Sequence, residues 1–207
     1  MTVDEFLAAC AAGLDEDQES QLVSDAGVPL VKDDAALAAL VEVARHDDVV
    51  ADLVSESCVR VGPDRVATLI ELLGVDLVAR RWHSTVPRRE DLNSWPVTLV
   101  LEIDRKKHRN LNRRVIEALV RAAPDDDALK YVGAGPLEDY LSPAEDDVAW
   151  IERSCDAIAG FGVAVGNVWG LDRYPRKFVA RIETAIGGPV ARPERRFRLR
   201  RRQSPSA

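Results

Sequence analysis

Apolar residues recur at three- and four-residue spacing along almost all of this 207-residue chain, and strict alternation over five or more residues is nearly absent. Spacing of three and four places side chains on one face of an α-helix, whereas a half-buried strand needs a period of two. The pattern therefore predicts an all-α fold: a single irregular multi-helix domain of short antiparallel helix pairs, with a disordered basic C-terminal tail. We divide the chain into an N-terminal helical part (1–94), a second helical region (95–187) and the tail (188–207).

Local signals set the expected helix ends. Thr2 and Glu5 have the spacing of a capping box, opening a helix that Gly13 stops. A short helix is expected over EDQESQLVSDA, ended by GVP. Asp34 is placed to cap AALAALVEVARH, whose Leu37, Leu40, Val41 and Ala44 share a face, and VVADLVSES would continue it. Pro63 and Gly74 bracket the next helix in the expected order of proline at the start and glycine past the end. VDLVARRWH forms another helix, and STVPRREDLNSWP reads as a loop. VTLVLEID is apolar and β-branched enough for a strand, yet nothing of similar quality exists to pair with it, so helix is expected. Leu111, Val115, Ile116, Leu119 and Val120 form a helical stripe. Residues 143–187 hold two or three further helices with a break near AGFG, the last running over PRKFVARIETAIGG.

Composition narrows the class. A hydrophobic fraction of 46% and a charged fraction of 30% belong to a globular chain. No apolar run approaches the roughly 20 residues needed to cross a bilayer, and the N-terminus carries acids where a signal peptide carries Lys or Arg, so a cytoplasmic protein with no membrane partner is expected. Cys10, Cys58 and Cys155 lie far apart without a CxxC pair, the pattern of small buried hydrophobes. The net charge of −7 is unevenly spread. From Gly188 onward seven arginines face a single acid, a balance of +6 that leaves −13 on the first 187 residues.

The stretch YVGAGPLEDYL (131–141) looks most like a motif. A phosphate loop needs free N–H groups at a helix start and usually a cation, but here Pro136 removes one donor, and Glu138 and Asp139 would repel the ligand. A tight turn between helices fits better, with Gly133 left-handed, Gly135 near the N-cap, Pro136 in the first turn, and Leu137, Tyr140 and Leu141 buried.

The GAGPLEDYL element, preceded by SWPVTLVLEI and APDDDALKYV and followed by GNVWG, resembles a bacterial family of domains of unknown function. Its members carry a GAGPLED element and, some thirty residues later, a segment ending in Val-Trp, here Val168-Trp169. The similarity spans about Trp95 to Gly187. Where that family often has an Asp-Pro-Arg-Phe-like turn before Val-Trp, this chain has IAGFGVAVG. The resemblance implies a helical domain and no catalytic assignment.

RHDD (45–48) contains a His-Asp pair of the metal phosphohydrolase kind, but no earlier histidine exists to complete that site. Glu102, Asp104 and Lys106 or Lys107 echo a carboxylate-lysine nuclease site, which requires paired strands; on a helix, Glu102 and Lys106 are an i,i+4 ion pair. Neither His83 nor His108 is matched to a serine or cysteine placed to act as a nucleophile. Trp95, Trp150 and Trp169 read as core anchors. No catalytic residue, metal or cofactor is assigned.

The leading expectation is a protein-binding or regulatory module without catalytic activity, with Glu138, Asp139 and Trp169 as partner-binding candidates. Two alternatives stand beside it. One is a metal-dependent hydrolase built on Glu102, Asp104 or Asp47. The other is nucleic-acid binding through the tail arginines Arg195, Arg196, Arg198, Arg200, Arg201 and Arg202.

Overall fold

The hydroxyl of Thr2 accepts the Glu5 N–H while the Glu5 carboxylate accepts the Thr2 N–H, and this reciprocal cap starts helix α1, Val3–Cys10. Asp15 and Gln18 repeat the device at α2, Glu16–Leu22. The computed structural model describes residues 1–85 and 94–190, and every regular element among them is helical. The all-α expectation holds. Most of the loop expected at STVPRREDLNSWP and all the tail arginines lie outside the described residues.

GVP does not end the second helix. From Leu22 the backbone widens into a π turn, Val23–Gly27, and continues as α3, Val28–Lys32, with Pro29 in its first turn, where a proline's missing N–H is tolerated. Asp33, one residue before the expected Asp34, caps α4, Asp34–Ala44, by accepting the Ala36 N–H. Helix α5, Asp48–Val61, is a separate element and no continuation of α4, because Asp47 accepts the N–H groups of Val49 and Val50 and starts it afresh. Helices α6, Pro63–Leu73, and α7, Val75–Thr85, meet at Gly74, whose φ of 88° is the left-handed region that favours glycine.

VTLVL is helical as expected and EID is not: α8 spans Trp95–Leu101. It stops with Glu102 as its C-cap, so Lys106 does not follow one helical turn later and the expected i,i+4 pair is not formed. After α9, Arg109–Ala122, Asp125 caps α10, Asp126–Val132. A second π turn, Gly133–Leu137, then joins α10 to the short α11, Glu138–Tyr140. Helices α12, Glu145–Ala157, and α13, Phe161–Gly166, are separated at Gly160, φ 83°, the break expected at AGFG. A single 3-10 turn, Leu171–Arg173, leads to α14, Arg176–Ile186.

One connected hydrophobic core runs from Phe6 to Val190. In its N-terminal part α5 packs against α3, α4, α6 and the first π turn; α7 then lies along α9, and α12 with α14 and α10 with α13 complete the C-terminal part. Phe6, Leu37, Ile70, Ile116, Leu119 and Ile151 are fully buried, each contributing roughly 1.5–3 kcal/mol relative to exposure. Tyr140, Trp150 and Phe161 meet edge to face with centroids 5.2 and 5.4 Å apart, binding α11, α12 and α13 together. Cys10 and Cys58 are buried as expected and Cys155 half-buried, with burial pushing the Cys58 thiol up to about 12 and the Cys155 thiol up to about 11.

Candidate functional site

The turn expected at 133–141 is a helix that widens and carries on. Gly133 is right-handed, at φ −64° and ψ −50°, so it does not terminate α10. Pro136 cannot donate to the ladder, and the π turn absorbs that lost bond without breaking the helix. Glycine is needed at 133 for proximity and not for handedness. A Cβ there would run into the Ala164 carbonyl of α13, closer than the 3.0 Å below which real Cβ atoms essentially never go.

This close crossing carries α11 outward. Leu137, Tyr140 and Leu141 are buried as expected, while Asp139 is exposed and Glu138 half-buried. Glu138 turns toward the segment after α13, where its carboxylate accepts the backbone N–H of Trp169 at 3.3 Å. Trp169 is 67% exposed. Trp95 and Trp150 are core anchors as expected, at 4% exposure each, but Trp169 is not, because its helix ends at Gly166 and the i,i+4 step from the buried Val165 no longer applies. Tyr174 closes the underside by donating its hydroxyl to the Leu141 carbonyl, 3.0 Å. Its own pKa is raised, first by burial and then by the charge of Glu138. Asp139 faces a small cleft shared with Arg105 and Leu101, the latter 57% exposed.

What holds this face rigid is a residue that sequence reasoning passed over. Asp147, 1% exposed, accepts hydrogen bonds from Arg109 (2.6 Å), Arg113 (2.9 Å), the Tyr140 hydroxyl (2.9 Å) and Ser142 (2.5 Å). Both arginines also donate their Nε to the Tyr140 oxygen, at 3.1 and 2.6 Å. Burial pushes the Asp147 carboxyl up, but the bonds from Ser142, Arg113, Tyr140 and Arg109 outweigh it and hold its pKa below the ordinary range. Its only sequence signal was one acid in EDD at a helix start, indistinguishable there from a dipole-complementing charge.

The remaining candidate residues have structural uses. Asp47 caps α5, and Asp104 accepts the N–H groups of Lys106 and Lys107. His83 is buried with Nε2 2.7 Å from the Leu119 carbonyl. His108 and Lys107 both bind Asp64. Among the described residues no group of three or more His, Cys, Asp or Glu is arranged to hold a metal ion.

A family model matches residues 83–189, just over half of the chain. The protein belongs to the family of unknown function DUF6869. The match begins inside α7, earlier than the Trp95 from which the resemblance was drawn, and covers the rest of the described chain to within one residue of its end. Glu138, Asp139, Trp169 and the Asp147 cluster all lie in the DUF6869 segment. No curated protein and no solved structure matches the chain. Among the described residues, no helix is long and apolar enough to cross a membrane.

Proposed function

We propose that this DUF6869 protein is a cytoplasmic binding or regulatory module that engages a protein partner through Glu138, Asp139 and Trp169. The observation that carries the reading is the exposed Trp169 indole held beside an acid by the bond from its own backbone to Glu138. Large aromatics on a fixed support are favoured interface anchors because they present area at little entropic cost. Glu138 beside it, with Asp139 exposed on the same short helix, favours a partner segment that combines apolar and basic residues.

Co-purification from the native cytoplasm tests this with full-length protein, Trp169→Ala, Glu138→Ala/Asp139→Ala and a truncation ending at Val190, the last core residue. A partner retained by the truncation and lost by both substitutions at unchanged thermal midpoint is the expected result. Equal recovery by all variants would remove the face from consideration.

A second reading rests on the +6 balance from Gly188 onward, which supports nucleic-acid binding through Arg195, Arg196, Arg198, Arg200, Arg201 and Arg202. Such binding weakens steeply as salt rises and disappears in the same truncation, so a nuclease-treated arm separates the two readings.

A further inference from the structure

A groove of about 440 Å³ lies between α2, α5 and the start of α8 and shares no lining residue with the cleft at Asp139. Glu19, Asp52 and Glu56 line it, and among its described lining residues none is basic. Val49, Leu53 and Trp95 supply an apolar wall. The feature that lifts it above an acidic surface is a pair of hydroxyls. Ser55 is 1% exposed and its Oγ has no hydrogen-bond partner, and the buried Oγ of Ser94, which also lines the groove, has none either.

An orphaned buried hydroxyl costs about 1–3 kcal/mol, so two at one groove mark a place where partners are expected to arrive from outside. The chemistry of the lining selects the partner. Carboxylates only accept, and hydroxyl oxygens can accept, so the fitting group is a donor that does not accept, as an ammonium is. Glu56 already shares an oxygen with Arg60 at 2.5 Å, yet a carboxylate has about four acceptor positions and keeps capacity for another donor. Between ammonium ends, methylenes would lie on Val49, Leu53 and the Trp95 ring. We propose that this groove binds an aliphatic polyamine. Its walls come from both sides of the family boundary: Ser94 and Trp95 from the DUF6869 segment, and Ser55 with the two glutamates from the chain before it.

Titration calorimetry of full-length protein with spermidine at low salt provides the test, alongside Ser55→Ala, Glu19→Gln/Glu56→Gln and Asp126→Asn/Asp127→Asn. The last pair removes equal charge from the exposed start of α10. Expected are one site per chain, affinity at least tenfold weaker in Ser55→Ala and in the glutamate variant, and unchanged affinity in the α10 variant. Ser55→Ala should melt no lower than wild type, since it removes an unsatisfied group. No binding by wild type, equal weakening by the α10 variant, or equal displacement by Mg²⁺ would each overturn the proposal, the last two by reducing it to general attraction for an acidic body.

Discussion

Gly133 and Ala164 touch backbone to backbone: the Cα of the first lies so close to the carbonyl of the second that no side chain fits between them. Gly133→Ala should therefore destabilise the protein toward the upper end of the roughly 1–3 kcal/mol typical of overpacking, although alanine at a right-handed helical position would otherwise be favourable by about 1 kcal/mol. Gly27 offers the internal comparison. A methyl there meets the Ser57 hydroxyl, which can turn aside at the cost of its bond to the Leu53 carbonyl, whereas the Ala164 backbone has no such freedom, so Gly27→Ala should cost less. Denaturant midpoints of the two variants check the order.

Asp147→Ala leaves two arginines and a buried tyrosine hydroxyl without their common acceptor. Removing one member of a buried pair typically costs about 3–5 kcal/mol, and because Arg109 is part-exposed the lower end is expected here. Urea unfolding at neutral pH measures this.

Acid should act through the same residue. The folded Asp147 carboxyl titrates below its ordinary value of 3.8, so its contribution is present above that pH and is lost as pH falls through the depressed folded value. Asp147→Asn should accordingly flatten the acid limb of the stability curve below pH 4. Thermal midpoints from pH 5 downward give the comparison.

His83 gives a second pH dependence in a different window. Burial lowers its pKa from the ordinary 6.5, partly offset by the bond to Leu119, so the folded state favours the neutral ring. The unfolded chain then binds more protons below 6.5, and stability falls as pH drops through that value toward the folded pKa. His83→Gln should remove this slope below about pH 6.5, seen in denaturant midpoints from about pH 7 downward.

Trp169→Ala should be nearly silent for stability, within about 0.5 kcal/mol, because a side chain 67% exposed loses little packing. Trp150→Ala, at 4% exposure and with its indole N–H 2.8 Å from Glu117, should cost about 3–5 kcal/mol. Differential scanning calorimetry of the pair separates a surface aromatic from a core one.

Much of the fold was legible in the residues. The Thr2–Glu5 cap, Pro63 with Gly74, the α9 stripe and the break at Gly160 all follow from local chemistry, because caps, positive φ and periodicity act within a few residues along the chain. Local rules failed at Pro29 and Pro136. Each reads as punctuation, yet a π turn beside it lets the helix continue, and the tight packing of Gly27 against Ser57 and Gly133 against Ala164 exists only once distant helices meet. The candidate face was half legible: Glu138 and Asp139 could be singled out by charge, but that Trp169 faces solvent depended on where α13 stops. Asp147 as the hub of four donors, and Ser55 as a hydroxyl without one, belong wholly to tertiary structure. Whether a buried polar group is satisfied depends on partners brought from elsewhere in the chain, 38 residues away for Arg109 and Asp147, and no spacing in the sequence encodes that meeting.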